Sequence, residues 1–293
     1  MADVEALAHD SLQGRAAGSE GGATARHHLT ARLEALGFRV AADSFPVRRR
    51  TGEPLTGVNL RVAVPGTEHP DRWLVLTAHY DHVGVRDGEV YNGADDNASG
   101  TAALLALAAA LSREPPRHGV LLAFLDAEEG GLQGARHLVA EPPVPLDAVL
   151  LNVNLDMVGH AEGELWVAGT TPYPALRPLV EAVAPTPPVF LAFGHDTEAD
   201  TGSDNWINAS DHAAFHAQGI PFLYFGVADH PDYHRPTDDP ATLNPAFLAG
   251  ATATVLEVVR HLDGVLAGER PGGRPDAAGM TDDGAGVAET PGD

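Results

Sequence analysis

Cysteine is absent from the 293 residues, which excludes disulfide frameworks, thiolate zinc sites and cysteine nucleophiles. Lysine is absent too, all 18 basic residues being arginine, and this removes Schiff-base and pyridoxal chemistry and phosphate-loop lysines. Any metal must therefore sit on nitrogen and oxygen. Positive charge is scarce against 41 acidic residues, and a formal net charge of -23 repels phosphate backbones and anionic lipid surfaces, which bind clustered basic residues. Neither nucleic acid nor a membrane is an expected partner. The same field attracts divalent metals and the ammonium end of a peptide, or serves solubility alone. No run reaches the roughly 20 apolar residues of a membrane span. The acidic opening from Met1 to Asp10 lacks the basic and apolar regions of an export signal, so a cytoplasmic protein is expected, as a chain trimmed of its signal would also read.

What is present is enough apolar material, 44%, for a sizeable core. The pattern predicts one domain over 1–267. Gly268 to Asp293 is a Gly, Pro and acidic stretch that cannot bury enough surface to order itself and is expected to be a disordered tail. Ala25, Leu29, Leu33 and Leu36 follow helical spacing, stopped by Gly37. Ala98 to Leu111, dominated by Ala and Leu, reads as a helix packed on several sides. Short apolar runs at Asn59 to Val64, Trp73 to Ala78, Val120 to Leu125, Ala148 to Leu155, Leu165 to Ala168, Val189 to Phe193 and Pro221 to Phe225 read as strands. Further helices are expected at Pro174 to Ala184, Asp211 to Gln218 and Asn244 to Leu266. Strands alternating with helices give an α/β domain whose central mixed, mainly parallel sheet carries helices on both faces, with function gathered at the carboxyl ends of the strands.

Acidic and histidine residues stand where those runs end. His79 and Asp81 follow Ala78. Asp95 and Asp96 precede the Ala-rich helix. Asp126, Glu128 and Glu129 follow Leu125, Asp156 follows Leu155, and Tyr233-His234 lies far downstream. One such carboxylate is ordinarily a solvated turn or a helix cap. Four in succession, converged by a sheet on one crevice, would repel one another strongly without a bound cation. Histidine with carboxylate and no thiolate suits zinc, with cobalt or manganese possible in the same geometry.

The segments His79-Tyr80-Asp81-His82, Gly93-Ala94-Asp95-Asp96-Asn97-Ala98-Ser99-Gly100, Asp126-Ala127-Glu128-Glu129-Gly130, Asn154-Leu155-Asp156-Met157 and Tyr233-His234 resemble, in order, the five signatures of the co-catalytic zinc aminopeptidases, metallopeptidase family twenty-eight. Leu12-Gln13-Gly14-Arg15 is similar to the family's opening. The resemblance runs from about Asp10 to about Leu266 and implies a zinc-exopeptidase, phosphorylase/hydrolase-like fold, two zinc ions and peptide substrates with a free amino terminus. It implies Asp96 as the carboxylate shared by both metals, chosen over Asp95 because it precedes Ser99 by three residues. His79 and Asp156 would complete one ion, and Glu129 and His234 the other. Glu128 resembles the general base. Asp81, two residues from His79 on the same side of a strand, would fix the imidazole tautomer unless it only makes a turn. Tyr233 resembles a hydroxyl that steadies the tetrahedral intermediate, or is a core tyrosine beside the site. Asp238 would orient His234.

Several features are less specific. Asp211 in Ser210-Asp211-His212 either caps a helix or lies near the substrate. Asp196, Glu198, Asp200 and Asp204 alternate like a calcium loop but lack its Gly at the sixth position and Glu at the twelfth. His82 joins the site by sequence only. Phe215, Phe222, Tyr224 and Phe225 are expected to line an apolar substrate pocket. Carboxypeptidases and single-zinc glutaminyl cyclases share the implied fold, and a non-catalytic relative or a metal carrier would retain part of this set. The complete ligand set, with Glu128 beside it, argues against a cyclase, a non-catalytic relative and a carrier, while the resemblance, with no arginine cluster beside Arg86 or Arg235, favours an aminopeptidase over a carboxypeptidase.

Overall fold

The computed structural model describes residues 1–49 and 53–272. In chain order the helices and strands are α1 (Ala2–Leu7), α2 (Glu20–Ala35), β1 (Ala41–Val47), β2 (Leu55–Val64), β3 (His69–His79), β4 (Gly84–Arg86), β5 (Glu89–Tyr91), α3 (Gly100–Leu111), β6 (His118–Leu125), α4 (Gln133–Ala140), β7 (Val149–Leu155), β8 (Glu164–Ala168), α5 (Arg177–Glu181), β9 (Phe190–Phe193), α6 (His212–His216), β10 (Phe222–Gly226) and α7 (Pro245–Val265). Eight strands form one sheet in the order β1-β2-β6-β3-β7-β10-β8-β9, and β4 with β5 forms a separate hairpin. The centre is parallel, with β3 between β6 and β7 and β10 beyond β7. The β1-β2, β2-β6 and β8-β10 pairs are antiparallel. This is the mixed, mainly parallel sheet expected from the sequence.

Period-two alternation divides the core. Leu74, Leu76, Val120, Leu122 and Phe124 face one layer with α1, α2, α3 and α7. Val75, Leu121, Ala123 and Leu125 face the other with α4 and α6. Every residue of β6 and β7 is buried, as strands covered on both faces require. No helix among the described residues is long and apolar enough to cross a membrane.

Register places the functional ends together. His79 pairs with Leu125 across β3 and β6, and Thr77 with Asn154 across β3 and β7. The loops after all three strands therefore open on the same edge. Gly100 lets α3 approach closely, because a Cβ there would stand 2.5 Å from the Leu155 carbonyl oxygen. Gly93 adopts φ +56, and a Cβ on it would meet the His82 ring at 2.4 Å. Only glycine fits such a position without strain.

Three expectations need correction. The segment Pro174 to Ala184 is not one helix but a 3-10 turn at Pro174–Leu176 and the five-residue α5. Pro174 and Pro178, four residues apart, withhold backbone donors a longer helix would use. The α6 helix is likewise shorter than expected, and Asp211 makes no capping bond to it. The tail does not begin at Gly268: Arg270 donates to the carbonyls of Val149, Gly219 and Leu146, so the folded body extends past 267. The rest of the expected tail, from 273, lies outside the described residues.

Candidate metal centre

His79 ends β3 and is buried. Its carbonyl accepts the Thr101 hydroxyl at 2.7 Å, tying the strand end to α3. Its Nδ1 lies 3.2 Å from the Asp81 carbonyl oxygen and 3.6 Å from the Asp81 carboxylate. Asp81 thus stands on the Nδ1 side of the ring, its backbone oxygen nearer than its side chain. The ring is left to present Nε2 to the cleft, 3.3 Å from Asp156 Oδ1 and 3.4 Å from Asp96 Oδ1.

Asp96 turns its second oxygen, Oδ2, to His234 Nε2 at 3.0 Å. One carboxylate therefore faces an imidazole on each side. His234 Nε2 is also 3.2 Å from Glu129 Oε2. Asp95 points elsewhere: its Oδ1 accepts the Gly159 amide at 2.7 Å. The backbone between these aspartates is fixed by Asp238, whose two oxygens accept the Asp95 amide at 2.9 Å and the Asp96 amide at 3.1 Å. That corrects the expectation that Asp238 orients His234. Sequence proximity to His234 suggested the wrong partner, because the loop folds Asp238 back onto the second motif.

The loops that carry the ligands are held in uncommon conformations. Ala127, Met157 and His234 have φ of 59, 57 and 53, in the left-handed region that costs L-residues about 1–3 kcal/mol each. Each lies next to, or is, an expected ligand or base. Behind them Arg15 is fully buried and donates to the carbonyls of Tyr80 at 2.7 Å, Gly93 at 2.6 Å, Leu7 and Asp96 at 3.3 Å each, and Asn92. One guanidinium so joins the backbones of the first two motifs. The sequence singled out Arg15 only as part of an opening segment.

His82 also requires correction. It is buried, with Nδ1 2.7 Å from Glu129 Oε1 and 3.7 Å from Asp96 Oδ2. Because it leaves β3 on a loop, alternation gave no sign that it turns inward. Among the described residues, ligand atoms gather within 4.8 Å in three groups: His79 with Glu128 and Asp156, His82 with Asp96 and Glu129, and His160 with His230 and Asp232. None includes Asp196, Glu198, Asp200 or Asp204. Asp196 instead accepts the Gly169 and Thr171 amides and the Thr171 hydroxyl, and Asp200 accepts from Thr197. Asp196 and Asp200 are thus occupied in loop closure, and among the described residues this run forms no cluster of the kind a calcium loop needs.

The adjacent glutamates differ in their electrostatics. Burial, with Asp211, Asp156 and Glu129 nearby, pushes Glu128 well above the usual carboxylate range despite the attraction of His79. Burial raises Glu129 too, but the close imidazoles of His234 and His82 outweigh it and hold that carboxyl well down. Two carboxylates pushed apart by environment form the pattern of an acid-base group beside an anionic ligand. Asp211 was missed as a neighbour of Glu128. It is fully buried, neither oxygen has a hydrogen-bond partner, and burial lifts it to about 7.

A cleft of about 580 Å³ opens over these groups, lined by His79, Asp96, Glu128, Glu129, Asp156 and His234 together with Tyr233, Asp229 and an apolar wall of Met157, Trp206, Ile207, Tyr224 and Val227. Tyr233 stacks on His234 at 4.0 Å, and burial among carboxylates raises its phenol far above the ordinary value, so it remains a donor. Of the expected aromatic lining only Tyr224 is found. Phe215, Phe222 and Phe225 are buried in the core, since both faces of β10 are covered. Beside Tyr224 the wall comes from Trp206 and Ile207 in the loop before α6 and from Met157 and Val227, which follow β7 and β10.

Fold and site together define an α/β domain with a cleft of histidines and carboxylates supplied by the loops at one sheet edge. The chain belongs to peptidase family M28, whose model matches residues 59–259. It is 37% identical over 123 residues, 41% of its length, to a probable zinc metalloprotease of Leptosphaeria maculans. It is 29% identical over 225 residues, 75% of its length, to leupeptin-inactivating enzyme 1 of Streptomyces exfoliatus. The chain spans 28% and 46% of the lengths of those relatives. Among solved structures, the zinc aminopeptidase BSAP of Bacillus subtilis superposes with TM-score 0.72 at 18% identity, covering 88% of this chain and 93% of that one. A glutaminyl cyclase of Porphyromonas gingivalis has the same fold, with TM-score 0.72, 19% identity, and 88% and 95% covered. The names of the Leptosphaeria metalloprotease and the Bacillus aminopeptidase both specify zinc.

Proposed function

We propose that this chain is a zinc aminopeptidase holding two ions, one on His79 and Asp156 and one on Glu129 and His234, with Asp96 shared. The observation that carries this reading is the Asp96 carboxylate itself, Oδ1 3.4 Å from His79 Nε2 and Oδ2 3.0 Å from His234 Nε2. The donors fit. Glu129 Oε1 and His82 Nδ1 are 2.7 Å apart, yet both are buried without a hydrogen-bond partner, and a cation beside them would satisfy that pair. Cobalt or manganese suits the same set. Bound there, zinc would polarise the scissile carbonyl and lower the pKa of the attacking water.

The chain's own residues supply the rest. Glu128, in the group with His79 and Asp156, takes a proton from the attacking water and passes it to the departing amine. The Tyr233 hydroxyl faces the cleft as a donor to the oxygen that gains charge. Met157, Trp206, Ile207 and Val227 form an apolar wall for the first side chain. No arginine is among the residues that line this cleft, whereas capture of a carboxyl end calls for a guanidinium or comparable donor. Asp229 and the site carboxylates suit an ammonium group. Peptides with free amino termini and apolar first residues are therefore the proposed substrates.

The test compares free and amino-acetylated forms of one short peptide on the zinc-loaded protein. Acetylation is expected to remove most of the rate. Equal cleavage of both, or release from the carboxyl end only, rules the reading out.

A further inference from the structure

Outside the catalytic cleft, a second set of metal-binding side chains is assembled from two loops. His160 lies four residues beyond Asp156. His230 and Asp232 precede His234 by four and two residues. The imidazoles of His160 and His230 stack at 3.9 Å with planes 7° apart, and His160 Nε2 is 3.3 Å from Asp232 Oδ2. One ligand atom from each of the three falls within 4.8 Å of the others.

The state of His230 points to a ligand. Its side chain is only 6% exposed, and neither ring nitrogen has a hydrogen-bond partner. The Asp95 carboxylate stands behind it, Oδ2 3.3 Å from His230 Nε2, and that oxygen is also buried without a partner. That contact engages Nε2 and leaves Nδ1 as a buried ring nitrogen with no hydrogen-bond partner, an unfavourable state unless something completes it. On the open side the side chains of His160 and Asp232 are 25% and 24% exposed, so an ion and its waters have access from solvent.

We propose that His160, His230 and Asp232 form a third metal site, separate from the proposed catalytic pair, that takes a zinc-class divalent ion. Two imidazole nitrogens and one carboxylate oxygen select such an ion over calcium or magnesium, which prefer all-oxygen shells. Asp95 then serves as the carboxylate that orients a ligating imidazole. The ion would join the turn after Asp156 to the loop that carries His234. Asp95 extends that junction, because its other oxygen holds the Gly159 amide at 2.7 Å and its neighbour Asp96 lies in the cleft. Occupancy should therefore restrain His234, the most exposed of the expected catalytic ligands at 37%. With two quarter-exposed ligands, this site should fill after the cleft does.

The experiment is equilibrium dialysis of chelator-stripped full-length protein against rising free zinc, with elemental analysis, for wild type, His160→Gln and Asp96→Ala. A glutamine keeps the polar surface and supplies no imidazole nitrogen. Wild type is expected to reach three equivalents, and His160→Gln one fewer than wild type at every saturating concentration. Asp96→Ala should lose cleft ions while retaining the one at His160. Equal stoichiometry in wild type and His160→Gln overturns the third site, whatever the total. A one-equivalent difference on a wild-type total of two keeps the third site and overturns the catalytic pair, so the two readings fail separately. An anomalous zinc peak between His160, His230 and Asp232 in a zinc-grown crystal of wild type provides the second readout, and its absence at saturation counts against the site.

Discussion

The Glu128 amide donates to Asp81 Oδ1 at 3.0 Å, so the residue that orients His79 also fixes the backbone of the proposed base. The first and third motifs are joined through this one carboxylate. Replacing Asp81 with Ala leaves the Asp81 carbonyl on His79 Nδ1 but removes the anion behind the imidazole and frees the Glu128 amide. Affinity for the ion at His79 should fall by about 10-fold to 100-fold, the usual effect of losing such an orienting partner. Chelator competition on wild type and Asp81→Ala measures it, and equal affinities would assign Asp81 to the turn alone.

Glu128 itself is raised by burial and is not among the five expected ligands. Glu128→Gln should retain wild-type zinc content while lowering kcat by roughly 10²-fold to 10⁴-fold, the range for losing a general base. Metal content and turnover measured on the same sample separate the two effects. A metal-replete variant with near-normal kcat would move the proton transfer to another group, such as Asp211, a buried carboxyl whose charge Glu128 feels and whose oxygens have no hydrogen-bond partner.

Much of this site was legible because β6, β7 and the second half of β3 are buried on both faces, so each reads as a mainly apolar run followed by acidic or histidine residues. Asp156 follows from that pattern, whereas Asp96, in the loop before α3, is preferred to Asp95 only through the family resemblance. His82 was not legible, since it follows the strand on an irregular loop where neither period applies. Edge strand β1 escaped because its burial alternates and Pro46 interrupts it, as edge strands tolerate. Phe222 and Phe225 were misplaced because closeness in sequence to a motif says nothing about which side of a doubly covered strand a ring occupies. Arg15 became meaningful only once folding set its guanidinium among carbonyls more than sixty residues away.

A pH dependence follows from His212, fully buried with Nε2 2.7 Å from the Trp206 carbonyl oxygen. Burial lowers it from 6.5 to about 4. The folded state thus resists a proton that the unfolded chain accepts, so its contribution to stability is complete above about pH 6.5 and is lost as pH falls toward 4. At pH 5 that loss is about 2 kcal/mol. His212→Gln, which keeps an N–H near Trp206, should reduce the difference in unfolding free energy between pH 7.5 and pH 5 by about that amount. The comparison is made by denaturant titration with chelator present throughout, so metal release adds no slope of its own. An unchanged difference would show that His212 is accessible to protons in the folded protein.

Arg15 provides the most demanding test of how the site is held. Its guanidinium serves the carbonyls of Leu7, Tyr80, Asn92, Gly93 and Asp96, and burial lowers its pKa to about 10 although Asp96, Asp238, Asp81 and Glu129 oppose that fall. It therefore remains charged at neutral pH. A lysine there carries the same charge on a point donor with three N–H groups in place of a planar fork with five. At least two carbonyls would lose their partner in a site closed to water, at about 1–3 kcal/mol each. Arg15→Lys should thus lower the unfolding free energy of the zinc-loaded protein by about 2–5 kcal/mol, seen as an earlier denaturant midpoint at unchanged slope. Arg15→Met, which leaves the acidic cluster without its buried cation, should cost more and should weaken zinc retention less than it weakens the fold, since added metal replaces part of the lost positive charge. If Arg15→Lys unfolds at the wild-type midpoint, the five carbonyls have other partners and the guanidinium is not what fixes the first two motifs together.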